Sequence, residues 1–427
     1  MVAERDAERS AGSCPEKSRC AQKNRARAFE KPPTKRIPPP AGLGSACDPP
    51  EPSSAPSGAM FFIFFSGLCA VAPPSALSSA APPAASSASV VSASVVCTGA
   101  NTSTCTLRAF AAEGWLARAQ FSPTVNVTGW GRLEVETRSG APDGLAAFAA
   151  GYVEAALTTD LISFVWQNIG PTPEKAVMSF IEANTQWVEA QVRSATVRED
   201  ASESATYWAA AKLVYDQLDG LAAGYDAHRG VLRPLSRTQL MLLGMTVELG
   251  DIAQAVDPSA RPRYDKMTPE ELEAWAFDHS HCSAMIKVTA DLGELFASHN
   301  TWTGYSDMLR LWKIYTFPFS TSKAHTVSFS GYPGKIAGID DYYLTSQRLT
   351  VIETTNGVYN TSLFDAVTPQ TVPYWVRVTL ATRGATTAQE WHQLFYKYNS
   401  GTYNNRTLRA LVSNHGRAAP ALAMSMR

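Results

Sequence analysis

The sequence predicts an α+β fold in which helices cover an antiparallel sheet. Two early runs, Trp115–Phe121 and Gly129–Thr137, read as a β-hairpin, and the second alternates apolar with charged residues. Apolar residues then recur at helical spacing over roughly one hundred residues. Short strand-like runs return after residue 325, ahead of two further helical segments. This order of strands and helices is typical of a sheet with helices packed on it.

The net charge of the chain indicates which classes of binding partner to expect. The chain has 427 residues, a formal net charge of −1 and a sequence pI of about 6.7. This length allows two or three domains or one large one. A chain this close to neutrality gives no reason to expect electrostatic binding to nucleic acid.

The first ninety-six residues divide into three segments. Residues 1–59 mix charges with prolines, and we interpret them as a disordered extension, a possible artefact of the gene model. Residues 60–80 begin with an apolar run too short to span a bilayer, followed by small residues and prolines, which is typical of a signal peptide. A membrane anchor or a chance apolar run is the alternative. Residues 81–96, rich in Ala, Pro and Ser, are expected to form a linker.

Three cysteines remain once the extension and the signal are removed. Cys97 and Cys105 are close enough in sequence to close a small disulfide loop, which leaves Cys282 unpaired. An odd cysteine in a secreted chain indicates a working thiol. Glycosylation sequons, which fit a secreted glycoprotein, occur at Asn101, Asn126, Asn360 and Asn405.

Four helices with apolar stripes are predicted before the polar segment that precedes Cys282, and the stripes are interpreted as core. They lie at Ala146–Leu161, after Thr172-Pro173-Glu174, along the stripe from Tyr207 to Tyr225, and after the capping-box pair Ser236 and Gln239. A polar segment follows, with a short capped helix at Thr268–Phe277. Because this helix directly precedes Cys282, it is placed to cover that residue until the chain is cut.

The stretch from His281 to Trp302 contains the most reactive pattern in the chain. A β-prone run after Cys282, a turn near Asp291 and a second run ending at His299 predict a hairpin. Such a hairpin would bring the thiol near the imidazole, and a thiol needs a base or a positive charge to ionise. The alternative is a buried cysteine and a hydrogen-bonded histidine that flank a hairpin.

The remaining chain is predicted to alternate between strands and helices. Trp302 to Tyr315 repeats aromatic and apolar residues every three or four positions, which predicts an amphipathic helix. Further strands are expected at His325–Ser330, Lys335–Ile339, Tyr342–Thr345 and Leu349–Thr354, and helices at Tyr374–Thr382 and Thr387–Tyr398. Residues 406–427 show no clear periodicity and are expected to form an irregular tail.

Seven stretches, in the family's order between about Cys97 and Asn405, resemble the phospholipase B-like family. They are Gly129–Val135, Ala150–Glu154, Gln217–Tyr225, Cys282–Ala284, Ser298–Trp302, Glu353–Asn356 and Asn399–Asn405. The resemblance implies an N-terminal-nucleophile hydrolase with a four-layer αββα sandwich. It also implies an N-terminal fragment, 97–281, and a nucleophile-bearing fragment, 282–405.

Site residues follow from the same resemblance. It implies self-cleavage between His281 and Cys282, with Cys282 as the nucleophile and its new α-amine as the base. His299 and Trp302 match site residues of the family. Thr354, Thr355 and Asn356 match a motif at the end of a strand lining the pocket, where packing is the alternative role. The Asn356 amide is a candidate donor to the oxyanion.

The implied reaction is hydrolysis of phospholipid acyl esters without cofactor or metal, in a secreted or lysosomal protein. A membrane surface would serve only as the source of substrate, and the N-terminal fragment would stay as a partner. Fatty-acyl amide hydrolysis, or lipid and partner binding without catalysis, are the alternatives. After Asn405 the sequence departs from the family's pattern, and we expect the sheet to be incomplete at its C-terminal end.

Overall fold

A computed structural model describes residues 89–110, 112–197, 202–279, 282–291, 293–355, 357–403 and 406–411. The predicted extension, signal peptide and first part of the linker lie outside these ranges, as does the tail beyond residue 411. His281, Asn356 and Asn405 also lie outside them. Predictions for these positions stay predictions.

Eleven strands occur among the described residues. They are β1 (Val91–Cys97), β2 (Cys105–Arg108), β3 (Ala117–Ser122), β4 (Trp130–Thr137), β5 (Ser283–Val288), β6 (Leu295–Asn300), β7 (Arg310–Thr316), β8 (Thr326–Gly331), β9 (Tyr342–Thr345), β10 (Leu349–Thr354) and β11 (Arg406–Leu411). Nine of them form one sheet in the order β11-β10-β9-β8-β7-β4-β3-β1-β2, and β5 pairs with β6 in a separate hairpin.

The large sheet is mixed, so the prediction of an antiparallel sheet is wrong at one pair. β4 and β7 run parallel, from Trp130 opposite Arg310 to Glu136 opposite Thr316. Between them the chain passes through its long helices and the β5–β6 hairpin, and it returns in its original direction. A parallel pair requires a long crossover of this kind. Within the described residues the fold is mixed α+β with no closed barrel.

Nine α-helices occur in the same ranges. They are α1 (Val125–Thr128), α2 (Asp143–Ile169), α3 (Lys175–Val197), α4 (Glu203–His228), α5 (Arg237–Gly244), α6 (Leu249–Val256), α7 (Pro269–His279), α8 (Tyr374–Gly384) and α9 (Ala388–Tyr396). The apolar stripes predicted before Cys282 do form helices. α2 is long and apolar enough to cross a membrane, but 67% of its apolar window is buried, which is typical of a core helix.

Glycines let α2 and α4 pack with their backbones in close approach. A Cβ at Gly151 would lie 1.9 Å from the Gln217 carbonyl oxygen, and one at Gly220 would lie 1.8 Å from the Phe148 carbonyl oxygen. No side-chain rotation can relieve a clash with backbone. Two of the stretches that resemble the known family therefore meet at this crossing.

A buried ion pair fastens α2 to the sheet. The Lys313 ammonium on β7 lies 2.6 Å from the Glu154 carboxylate and 2.7 Å from the Lys335 carbonyl oxygen. The Tyr315 hydroxyl donates to the second oxygen of the same carboxylate. A buried charge is tolerated only when it is paired and hydrogen-bonded in this way.

The helix predicted from Trp302 to Tyr315 does not form, because its second half is β7. Along β7 every second residue is buried, including Leu311 and Tyr315. Lys313 occupies the buried position between them and is satisfied by Glu154. Because a lysine occupies the middle of the buried face, the alternation of apolar and polar residues that indicates a strand is interrupted in the sequence.

Three further predictions need correction. The linker predicted to residue 96 contains β1, which pairs with both β2 and β3. The strand predicted at Lys335–Ile339 is an irregular buried segment, whose apolar residues reflect burial rather than pairing. Part of the tail predicted to be irregular is β11, which pairs antiparallel with β10.

Candidate active site

The predicted hairpin is confirmed and places Cys282 immediately before β5. In its register Ser283 lies opposite Asn300 and Ala284 lies opposite His299. The turn closes with the Thr289 amide donating to the Glu294 carbonyl at 3.0 Å. The cysteine and the histidine are therefore at the same end of the hairpin, as their spacing predicts.

His299 binds the neighbouring strand through its ring. Nε2 lies 2.9 Å from the Glu353 carbonyl oxygen on β10, and Nδ1 lies 3.4 Å from the Thr301 hydroxyl. A carbonyl can only accept, so Nε2 carries the hydrogen and Nδ1 is left as an acceptor. Burial lowers the pKa of this imidazole. Both nitrogens have partners other than the thiol, so the ring acts as an anchor of the hairpin.

Cys282 is a free thiol on a strained backbone. Its φ is +71°, in a region that residues with a Cβ rarely adopt. The Trp302 backbone N–H donates a hydrogen bond to the thiol. Burial, together with the nearby carboxyl groups of Glu353, Asp341 and Asp340, raises the pKa of the Cys282 thiol to about 11. In the uncut chain the thiol is therefore protonated at neutral pH.

A cavity of about 770 Å³ opens beside the thiol. Cys282, Trp302 and Thr355 line it, so three residues implied by the resemblance meet on one surface. Thr354, the last residue of β10, directly precedes the lining residue Thr355. His299 is hydrogen-bonded to the Glu353 carbonyl on the same strand. The other lining residues are Val247, Gly250, Asp251, Gln254, Tyr264, Trp275, His279, Thr301, Thr303, Gly304, Ile339, Gly357, Val358, Phe364 and Tyr403.

The helix predicted before the cysteine forms one wall of this cavity. α7 is capped reciprocally, with Thr268 and Glu271 each accepting a hydrogen bond from the backbone N–H of the other. Its Trp275 and His279 rings stack at 4.0 Å, and Tyr264 packs edge-on against Trp275 at 4.9 Å. Through Trp275 and His279, α7 therefore closes one side of the cavity.

A buried carboxyl cluster beside the thiol was not predicted. Asp341 accepts hydrogen bonds from the hydroxyls of Tyr374 and Tyr403, and its side chain also shares one with Glu353. Burial raises the pKa of Asp341 to about 6. The available signal was Glu353 inside the apolar run of β10 and Asp341 directly before β9. Carboxyl groups are rare at such positions unless they are paired.

The structure agrees with the predicted disulfide. Cys97 and Cys105 are paired residues of β1 and β2 and form a disulfide. The sequon residues Asn101, Asn126 and Asn360 are all exposed.

Comparisons with known proteins identify the family. The Phospholipase B family model matches residues 117–413. Phospholipase B-like protein B of Dictyostelium discoideum is 36% identical over 305 residues, covering 68% of this chain and 51% of that protein. Phospholipase B-like 1 of Bos taurus is 32% identical over 300 residues, covering 67% and 52%. Phospholipase B of Crotalus adamanteus is 30% identical over 303 residues, covering 68% and 54%.

The chain thus spans about half the length of the curated relatives it matches. The matched region contains the large sheet from β3 onward, the hairpin and every residue described at the cavity. On these matches, the chain belongs to the phospholipase B family.

Proposed function

We propose that this protein hydrolyses acyl esters of phospholipids, with Cys282 as the nucleophile once the chain has been cut before it. One observation carries the proposal: a free thiol with a strained backbone stands on the wall of a cavity of about 770 Å³. Strain of this kind is concentrated at functional sites. The family match agrees with a lipid hydrolase.

Maturation proceeds by an acyl shift from nitrogen to sulfur. The Cys282 thiol attacks the carbonyl carbon of His281, a C–S bond forms, the peptide C–N bond breaks, and the departing nitrogen takes up a proton. Water then hydrolyses the thioester, which restores the thiol and leaves a carboxylate on His281. The positive φ at Cys282 puts strain next to the bond that breaks.

Cleavage changes the chemistry of the thiol. It creates an α-amine whose unperturbed pKa is about 8, and this amine takes the thiol proton when neutral. The thiolate attacks the ester carbonyl of the lipid, the C–O bond breaks, and the alcohol leaves with a proton. Water releases the fatty acid from the thioester. The Trp302 N–H stabilises the thiolate, and the Asn356 amide is proposed to stabilise the oxyanion.

The cavity lining fits an acyl substrate. Its wall combines apolar and aromatic side chains with a few polar groups near the thiol, as lipid and small-molecule sites do. Freed by the cut, the segment that carries α7 would shift and widen the access to Cys282. The apolar lining comes from Val247, Tyr264, Trp275, Ile339, Val358 and Phe364.

Localisation outside the cell or in the lysosome, through the secretory pathway, fits the same proposal. The Cys97–Cys105 disulfide requires an oxidising compartment, and three exposed asparagines stand in glycosylation sequons. We expect glycans at Asn101, Asn126 and Asn360, which a mass shift on deglycosylation would detect.

The test is fatty acid release from phosphatidylcholine vesicles and, separately, from a fatty-acyl amide, by the wild-type chain and by Cys282→Ala. We expect release from the ester by the wild type and none by the variant. Release from the amide alone would indicate an amidase. Vesicle binding without release from either substrate would indicate a binding protein, and equal release by both chains would exclude Cys282 as the nucleophile.

A further inference from the structure

A second cavity, the helical cavity, is separate from the candidate active site. It has a volume of about 350 Å³ and is bounded by α4, α8, α9 and the loop that joins β7 to β8. It shares no lining residue with the cavity beside Cys282. Ligand pockets in proteins run from about 300 to 1,000 Å³, so this space suits a small ligand. Its apolar lining comes from Ala210, Leu213, Val214, Phe319, Leu380 and Leu394.

One positive charge in the lining of the helical cavity has no ion-pair partner. Two acidic and two basic residues line it. Glu203 pairs with Lys397, and Lys323 pairs with Glu390 at 3.2 Å. Arg383, the remaining lining cation, forms no ion pair with any residue that the structure describes. Because both acidic side chains are neutralised, the charge available to a ligand is that of Arg383.

Arg383 is buried and has donors to spare. It is only 8% exposed, and within the described chain its guanidinium forms one hydrogen bond, to the Gln217 side-chain oxygen at 2.8 Å. A guanidinium carries five N–H donors. The Glu154 carboxylate, which Arg383 feels electrostatically, already binds Lys313 at 2.6 Å. Burial, partly offset by Tyr315 and Glu154, lowers the pKa of Arg383 to about 10, so the guanidinium is charged at pH 7.

The loop from β7 to β8 is fastened to Arg383 and adds hydroxyl groups to the lining. The backbone N–H groups of Lys323 and Ala324 both donate to the Arg383 carbonyl oxygen at 2.9 Å. Thr321 and Ser322, directly before them, line the helical cavity. Hydroxyl groups can donate hydrogen bonds to a carboxylate. The lining therefore combines one unpaired cation and neutral donors with a largely apolar surface.

We propose that the helical cavity binds a fatty acid, with the carboxylate on Arg383 and the acyl chain against the apolar lining. A neutral hydrocarbon would leave the buried cation uncompensated, and an inorganic anion would leave the apolar walls uncovered. An alkyl ammonium ion would be repelled by Arg383. The volume of about 350 Å³ favours a chain of medium length. The inference goes beyond the proposed function, because binding here involves no step at Cys282.

Calorimetric titration of the full chain with decanoate tests the proposal, with decanol as an uncharged probe of the same chain length. The wild type should bind decanoate at least about tenfold more tightly than decanol, the effect of a charged hydrogen-bonded contact. Arg383→Gln should lose this difference and leave decanol affinity unchanged. Lys323→Gln is the matched control, because it removes a lining cation that is already paired. Its decanoate affinity should change by less than about twofold.

A second variant covers the case in which Arg383→Gln does not fold. Ala210→Leu on α4 adds an apolar group to the lining of the helical cavity and removes no charge. Because it fills part of the space, it should weaken the binding of both probes. Wild-type decanoate affinity in Ala210→Leu or in folded Arg383→Gln, or equal affinity of the wild type for the two probes, would overturn the proposal.

Fatty acid release from phosphatidylcholine vesicles, measured on the same samples, separates this inference from the proposed function. Cys282→Ala should abolish release and keep the wild-type affinity for decanoate. If the wild type releases no fatty acid but binds decanoate through Arg383, only the hydrolase proposal fails. If release depends on Cys282 while Arg383→Gln and Ala210→Leu bind decanoate like the wild type, only the fatty acid site fails.

Discussion

At the residue scale, the surroundings of Cys282 keep its thiol protonated. Burial and three nearby carboxyl groups raise its pKa, and the imidazole that the sequence placed beside it binds the Glu353 carbonyl instead. Burial also lowers the pKa of His299, so the ring is neutral at pH 7 and supplies no positive charge to a thiolate. In the proposed mechanism the thiol is therefore activated by a group that the uncut chain lacks, namely the α-amine.

This assignment predicts that His299→Ala loosens the hairpin without changing thiol ionisation. Loss of the hydrogen bond to Glu353 should cost about 1 kcal/mol locally and speed amide exchange in β5 and β6. The pH midpoint of Cys282 alkylation should stay at its wild-type value. Tyr342→Phe, which removes the hairpin's other bond to the sheet at the Ala297 carbonyl, is the matched control. A shift of the alkylation midpoint in His299→Ala, without a shift in Tyr342→Phe, would indicate that His299 is the base.

Residue types and their order were sufficient to place Cys282 and two other predicted residues in one site. Cys282, Trp302 and Thr355 do share a cavity, as the resemblance implied. The role of His299 could not be read in the same way. Its hydrogen bond depends on how the hairpin packs against β10, and that contact joins residues 54 positions apart.

At the element scale, the α2–α4 crossing sets how closely the helices approach. The glycines there meet backbone atoms of the opposite helix rather than flexible side chains. A packed interior has little room for an added methyl group when the neighbour is backbone.

Gly220→Ala should therefore lower the free energy of unfolding by at least about 2 kcal/mol, since its Cβ would overlap the Phe148 carbonyl oxygen. Gly250→Ala on α6 is the control, because no atom lies within 4 Å of the Cβ it would add. That change should be neutral or stabilising by up to about 1 kcal/mol. Urea unfolding measures both, and equal effects would show that the crossing tolerates a methyl group.

Periodicity predicted the helices better than it predicted β7. The stripes of α3 and α4 are continuous and apolar, so a period near 3.6 stands out. In β7 a charged Lys313 fills a buried position, and the aromatic residues around it fall by chance at helical spacing. The compensating Glu154 lies 159 residues earlier, so no local window of sequence contains it.

At the scale of the whole molecule, buried carboxyl groups couple folding to pH. Glu248 accepts hydrogen bonds from the Tyr374 amide at 2.7 Å and the Thr402 hydroxyl at 2.8 Å. Burial nevertheless raises the pKa of Glu248 to about 7. Between pH 4.5 and pH 7 the folded state keeps this proton and the unfolded state loses it, so stability falls as pH rises through that window.

Glu248→Gln should remove this dependence. Relative to the wild type, the variant should gain about 3 kcal/mol in free energy of unfolding between pH 4 and pH 8. Glu174→Gln, at an exposed carboxylate, is the control and should leave the pH dependence unchanged. Parallel curves of stability against pH for the wild type and Glu248→Gln would show that Glu248 is ionised in the folded state.

The mixed sheet could not be predicted from local patterns. The direction of β7 relative to β4 depends on the path of about 170 intervening residues. The alternation of apolar and polar side chains within a strand does not predict that path. The carboxyl cluster escaped prediction for a similar reason. Asp341 is acceptable inside the protein because the hydroxyls of Tyr374 on α8 and of Tyr403, before β11, donate hydrogen bonds to it.

The most direct test of the account is whether the chain cuts itself before Cys282. Purified wild-type protein and Cys282→Ala would be incubated in parallel, and mass spectrometry would follow the fragment that begins at Cys282. We predict slow accumulation of this fragment in the wild type and none in Cys282→Ala. Equal cleavage in both chains, or phospholipid hydrolysis by wild-type protein whose His281–Cys282 bond is intact, would contradict the assignment of Cys282 as an N-terminal nucleophile.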